Sequence, residues 1–84
     1  MAIVKMYTKD YCPYCDRAKE LLSQYDVAVE EFDVQNDASR LEEMMQLSKR
    51  RTVPQIFIDD LHVGGYDDLV SMQQSGKLTK ILAE

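Results

Sequence analysis

The chain has a single histidine, His62, and only two cysteines, Cys12 and Cys15. A four-coordinate zinc site built on that pair would need two further ligands, which one histidine does not supply. Long hydrophobic runs are also missing. Met1-Ala2-Ile3-Val4 meets Lys5 at once, so neither a signal-peptide core nor a membrane span is read there, and a cytoplasmic location is expected. Positive charge is scarce: ten Lys and Arg stand against fifteen Asp and Glu, a formal net charge of −5. That balance, with no base-stacking aromatic pattern beside the basic residues, argues against nucleic acid or an acidic membrane surface as partner. There are no internal repeats, low-complexity tracts or linkers. Eighty-four residues allow one small core, so a single domain over 1–84 is expected and its function must fit on one face.

What is present is concentrated near the start. Ile3-Val4-Lys5-Met6-Tyr7 reads as an apolar strand, and Asp16-Arg17-Ala18-Lys19-Glu20-Leu21-Leu22 continues as an amphipathic helix, which places Cys12-Pro13-Tyr14-Cys15 at the junction. Two thiols three residues apart on a helix reach one another, and in a reducing compartment such a pair is more often catalytic than structural. The helix start supplies unpaired backbone amides that favour an anion, and Pro13 fits the first turn because its missing amide hydrogen costs nothing there. Cys12 is therefore expected to be the exposed attacking thiolate, with Lys9 as a nearby positive charge. Cys15 lies almost one turn further in, facing inward, and should hold its proton longer, as a resolving thiol would. A structural disulfide competes poorly because so short a loop constrains the unfolded chain little. Two merely buried core cysteines would not call for a Pro-Tyr insert at a helix start.

Further along, Val27–Val34 is β-rich and reads as a second strand, giving a βαβ unit. Asn36-Asp37-Ala38-Ser39 starts a helix with Leu41, Met44, Met45 and Leu47 on one face, expected to stop near Lys49. Thr52-Val53-Pro54 interrupts, since the residue before proline is pushed from helical geometry, and Gln55-Ile56-Phe57-Ile58 resumes as a strand. Asp59-Asp60 turns the chain into Leu61-His62-Val63, Gly64-Gly65 breaks that strand, and a third helix begins near Asp67 and ends at Gly76, leaving a helical tail from Leu78 to Leu82. The order βαβαββα predicts an α/β fold, a small mixed sheet of four strands with helices on both faces. Tyr7, Phe32, Ile56, Phe57 and Leu69 are assigned to the core, and His62 to the surface with no catalytic role.

With Cys12-Pro13-Tyr14-Cys15, Thr52-Val53-Pro54 and Gly64-Gly65-Tyr66-Asp67-Asp68-Leu69 in this order, the whole chain resembles a dithiol glutaredoxin of the short bacterial type. The resemblance implies a thioredoxin-like fold and an enzyme, a glutathione-disulfide oxidoreductase, that reduces protein disulfides and glutathione mixed disulfides. Cys12 would attack and Cys15 resolve. Glutathione would be the reducing co-substrate, no metal would be needed, and glutathione reductase would act only through glutathione. The partners implied are disulfide-containing or glutathionylated proteins, and a monomer is expected.

The resemblance also implies a glutathione groove formed by Lys9, Tyr14, Thr52, Val53, Pro54, Gly65, Tyr66 and Asp67. In the family the bond corresponding to Val53-Pro54 is cis, a state only about 5–6% of X-Pro bonds adopt in folded chains, and it turns the Val53 backbone outward to pair with the cysteinyl peptide groups of glutathione. Without its companion motifs the same tripeptide would read as a strand-entry turn. Gly64-Gly65 permits close backbone approach, and the helix start near Asp67 suits the γ-glutamyl carboxylate, with the Asp67 side chain meeting the ammonium. Asp68 is assigned to helix capping. Because glutathione and the chain are both anionic, a local positive field is required. Lys9 is assigned to the glycyl carboxylate, and Lys49-Arg50-Arg51 adds cations whose individual roles stay open, since cations also decorate helix ends. Two positions depart from the family pattern. Lys49 stands where relatives often have a helix-ending glycine, and Tyr66 where many have cysteine or serine, its ring either covering part of the groove or packing on the third helix. Two other readings are weighed: a non-catalytic iron–sulfur carrier, against which Pro13 argues, and a redoxin served by thioredoxin reductase, which the three motifs disfavour.

Overall fold

A computed structural model describes residues 2–83. The elements are β1 (Val4–Thr8), α1 (Pro13–Leu22), β2 (Val29–Asp33), α2 (Ala38–Ser48), β3 (Gln55–Ile58), β4 (Leu61–Gly64), α3 (Tyr66–Ser75) and α4 (Lys77–Leu82). The expected order holds, with boundaries moved by one or two residues: β1 ends at Thr8 rather than Tyr7, and α3 starts at Tyr66 rather than Asp67.

The four strands run in the order β2-β1-β3-β4. β1 is parallel to β2 and antiparallel to β3, and β3 is antiparallel to β4. All four residues of β3 are buried, as a central strand covered on both faces must be. On one face Val4, Met6, Ile56 and Ile58 pack with Ala18 and Leu22 of α1, Leu69 of α3 and Leu78 of α4. On the other, Tyr7 and Phe57 pack with Val34 and with Met44 of α2, and Phe32 joins them half-buried. The structure thus has the mixed four-stranded sheet with helices on both faces that the element order predicted.

Register decides where the motifs meet. Tyr7 pairs with Gln55 across β1 and β3, so the segment leaving β1 and the segment entering β3 emerge at the same end of the sheet. Ile56 pairs with Gly64 across β3 and β4, which brings the end of β4 to that end as well. The three motifs, distant in sequence, therefore converge on one edge of the molecule.

Candidate active site

The site is built on two helix starts facing a turn. Cys12 is the N-cap residue of α1, in extended geometry at φ −111°, and its Sγ accepts a hydrogen bond from the Cys15 backbone N–H at 3.2 Å. A sulfur in the position usually held by a serine or aspartate oxygen receives an unpaired helix-start amide. Pro13 occupies the first turn. Both cysteines are free thiols.

Cys12 departs from the expectation of an exposed thiol: it is only 7% exposed. It lies at the bottom of a groove of about 540 Å³ whose walls include Lys9, Tyr14, Arg51, Thr52 and Val53. The Val53 carbonyl lies 4.0 Å from the Cys12 sulfur and closes that side. Cys15, 1% exposed, sits behind it. Burial, and secondly the hydrogen bond to Cys12, push the Cys15 thiol up to about 12, while the Lys9 backbone amide acts in the opposite direction. At neutral pH Cys15 therefore holds its proton, as the inward position on the helix predicted.

The turn before β3 contains a cis Val53-Pro54 bond. It is held from below by Gln55, a fully buried side chain whose amide donates to the Thr52 carbonyl at 3.0 Å and to Thr52 Oγ1 at 3.3 Å. The Gln55 Oε1 in turn pairs with His62 Nε2 at 2.8 Å. His62 is thus not the plain surface residue expected from sequence: it is half-buried, stacked on Phe57 at 4.8 Å between ring centroids, and it props the amide that props the turn. Burial, then Arg50, hold its imidazole below the usual histidine range, in the neutral form. A buried amide without partners is costly, so glutamine in this strand is explained by the turn above it.

A second hollow of about 290 Å³ adjoins the first and shares Tyr14, Thr52 and Val53 with it, continuing to Pro54, Gly65, Tyr66 and Asp67. Here the helix start is closed by its own carboxylate. Asp68 Oδ2 accepts from the Gly65 N–H at 2.9 Å and pairs with Arg50 at 3.0 Å, and these two contacts, in that order, hold its carboxyl below the usual range. Asp68 is therefore the cap, as assigned. Arg50 is committed to it, whereas Arg51 lines the Cys12 groove. Glycine is demanded at Gly64, where φ is +116° and a Cβ would collide with the Asp68 carboxylate; at Gly65 a Cβ would make only ordinary contact with the Pro54 carbonyl. Asp67 is exposed in the first turn of α3, and among the described residues no hydrogen bond or ion pair engages its carboxylate. The Tyr66 ring packs against the α1/α3 side of the core and also walls the hollow, 6.0 Å from the Tyr14 ring, so both readings of that residue apply.

The structure thus brings together Lys9, Cys12, Tyr14, Thr52, Val53, Pro54, Gly65, Tyr66 and Asp67 along one continuous depression, with Cys15 beneath it. Gln55 was missed as a contributor because its register next to the turn, not its residue type, gives it that role. A comparable hollow of about 540 Å³ lies under α2 between Tyr7, Arg40, Glu43, Phe57 and His62. It contains no thiol, and three of its polar groups are engaged with one another: Tyr7 with Glu43, and Arg40 with Glu43 at 3.1 Å.

The glutaredoxin family model matches residues 4–63. The chain belongs to the glutaredoxin family. It is 50% identical over 82 residues to glutaredoxin 3 of Escherichia coli K12, covering 98% of this chain and 99% of that one. To a glutaredoxin of Neisseria meningitidis serogroup A it is 47% identical, covering 98% of each. Its backbone is similar to the solution structure of a glutaredoxin from Brucella melitensis (TM-score 0.84, 44% identity, 98% of this chain and 89% of that one). It is also similar to the crystal structure of a buckwheat glutaredoxin–glutathione complex (TM-score 0.87, 28% identity, 98% and 77%). The fold of this glutaredoxin is the thioredoxin-like fold, and the chain is a thiol–disulfide oxidoreductase. Among its described residues no helix is long and apolar enough to cross a membrane.

Proposed function

We propose that the protein is a glutathione-dependent reductase of protein disulfides and of glutathione mixed disulfides, working in the cytoplasm as a monomeric single domain, with Cys12 as nucleophile and Cys15 as resolving thiol. The observation that carries this reading is the position of the Cys12 sulfur: at the cap of α1, on the floor of a groove that runs to the α3 start at Asp67, with a protonated Cys15 directly behind it.

The Cys12 thiolate attacks one sulfur of a substrate disulfide; that S–S bond breaks, a Cys12–substrate disulfide forms, and the departing thiolate takes up a proton. After burial, the influences that raise the Cys15 thiol are the hydrogen bond to Cys12 and the Cys12 charge. Once the Cys12 sulfur is in a disulfide its charge is gone and burial remains, so Cys15 gives up its proton more readily at the stage when it must attack than in the resting protein. It then displaces the second substrate thiol and leaves a Cys12–Cys15 disulfide. One glutathione opens that bond to a Cys12–glutathione disulfide and frees Cys15; a second attacks the glutathione sulfur, forming oxidised glutathione and releasing the Cys12 thiolate, so the two electrons come from the two glutathiones. For a glutathione mixed disulfide, Cys12 attacks the glutathione sulfur and external glutathione completes the cycle without Cys15.

In this reading the Val53 backbone pairs with the cysteinyl peptide groups of glutathione, and Tyr14, Thr52, Pro54 and Tyr66 wall the groove. Backbone at Tyr66 and Asp67, beside Gly65, receives the γ-glutamyl carboxylate, the Asp67 side chain takes its ammonium, and Lys9 faces the glycyl carboxylate. Arg51, which lines the same groove as Lys9, adds to the local positive field. The test is turnover of a glutathione–hydroxyethyl mixed disulfide coupled to glutathione reductase and NADPH. Turnover saturable in that disulfide is expected; NADPH consumption no faster than without protein would defeat the proposal.

A further inference from the structure

Tyr11 is the most exposed large hydrophobic side chain among the described residues, 98% exposed, and stands immediately before Cys12. Its backbone lies at φ 55°, in the left-handed region where a Cβ is crowded and where glycine or asparagine sits more easily. Among the described residues the other non-glycine positions at positive φ are Lys49, the C-cap of α2, and Asp59, in the turn between β3 and β4; only Tyr11 carries a large aromatic ring there. Among the described residues no ring or cation stacks on it, while the neighbouring Tyr14 has the Arg17 guanidinium 5.3 Å from its ring and Tyr66 at 6.0 Å. Neither the turn nor the core therefore selects tyrosine at this position, and a bulky residue held in a disfavoured conformation beside a reactive group points to a role outside the fold.

The recessed position of Cys12 supplies the second half of the argument. A sulfur 7% exposed is reached only by a disulfide that enters the groove, and the residues flanking that disulfide must then lie against the rim. The wall formed by Val53, Pro54 and Asp67 is the one assigned above to glutathione. Tyr11 also borders the Cys12 groove, almost wholly exposed, and does not extend into the hollow shared with Pro54 and Asp67. A tyrosine ring offers large contact area with few torsions to fix, and its apolar face gains most by covering an aliphatic or aromatic side chain.

We infer that Tyr11 is a specificity-determining residue for peptide and protein disulfides, favouring those with an apolar side chain next to the attacked cysteine. This rests on the reading of Cys12 as the nucleophile. The experiment compares two peptides, each closed by one disulfide and differing only in leucine or glycine beside the cysteine, with glutathione–hydroxyethyl disulfide as the small substrate. The parent should favour the leucine peptide by roughly fivefold in kcat/KM. Tyr11→Asn, whose residue suits the left-handed turn, should bring that ratio near one and leave the small substrate within about twofold; Tyr11→Phe should keep the preference. If the parent turns over none of the three, the nucleophile reading fails and this inference with it. Activity on the small substrate with equal rates on the two peptides overturns the inference alone, as does an equal loss on all three substrates in Tyr11→Asn. Should the asparagine variant fail to fold, the leucine-to-glycine ratio of the parent and of Tyr11→Phe decides.

Discussion

The starts of α1 and α3 solve the same problem with opposite results. Each must satisfy unpaired backbone amides. At α1 the group that does so is the Cys12 sulfur, so the cap and the reactive atom are one. At α3 the cap is provided from within the helix by Asp68, tied in turn to Arg50, and this leaves Asp67 directed to solvent and uncommitted. Chemistry is concentrated in the cap in the first case and kept away from it in the second. The neighbouring residue behind each start, Cys15 or Asp68, is structural in its resting state, and its protonation is shifted in opposite directions.

The largest break of that comparison is Cys12→Ser. Serine caps a helix well, so folding should survive while thiol exchange falls to background in every assay, because no other residue can place a thiolate at this helix start. A residual rate above a few per cent of the parent would show that another group attacks.

Next comes the pair Asp67→Ala and Asp68→Ala. Asp67→Ala should lower kcat/KM on a glutathione mixed disulfide by roughly tenfold to a hundredfold, as expected for loss of a charged contact, and leave a disulfide without a γ-glutamyl group unchanged. Asp68→Ala should mainly lower stability, by roughly 0.5–2 kcal/mol as a lost cap, read by thermal unfolding. A larger kinetic effect from Asp68 would reverse the assignments.

Gln55→Leu sharpens the comparison by loosening the turn that faces both helix starts. It leaves the Thr52 carbonyl and His62 without their partner, so stability should fall by roughly 1–3 kcal/mol and KM for the mixed disulfide should rise more than kcat falls. Gln55→Glu, which keeps the acceptor for His62 but not the donors to Thr52, should show the KM defect with a smaller stability loss. Equal KM in all three proteins would remove Gln55 from the site.

The smallest expected effects are in the pH profile of stability of the reduced protein. Asp68 is depressed in the folded state, so its contribution is present above the ordinary carboxylate range near 4 and is lost as pH falls through its folded value. Cys15 is raised to about 12, so its contribution is complete below the ordinary thiol value near 8.5 and is lost as pH rises toward 12. Tyr7, also raised to about 12 by burial and its bond to Glu43, adds to the same alkaline limb at higher pH. Asp68→Asn should lessen the loss on the acid side and Cys15→Ser the loss on the alkaline side, each without altering the other; thermal unfolding across pH checks both.

Much of this arrangement is written in local pattern. The apolar strand before Cys12, the proline before β3, and the glycines and acids around the start of α3 all act through neighbours in sequence; they located the elements and put the cysteine pair at a helix start, while the groove residues were named through the family resemblance. What escaped depends on contacts between distant segments. Cys12 is recessed because Val53 comes over it, and Gln55 and His62 matter because register sets them under Thr52. Tyr11 and Lys49 adopt left-handed backbone that neither residue type announces, and at Lys49 this ends α2 where a glycine would have made the stop legible.

The division of labour between the two cysteines is tested most directly by trapping. Cys15→Ser protein, reduced and then exposed to oxidised glutathione, should gain one glutathionyl group, mapped by peptide mass to Cys12, and should turn over a glutathione mixed disulfide while losing most activity on a protein disulfide. Failure of Cys12 to take up the group, or loss of activity on both substrates alike, would contradict the account.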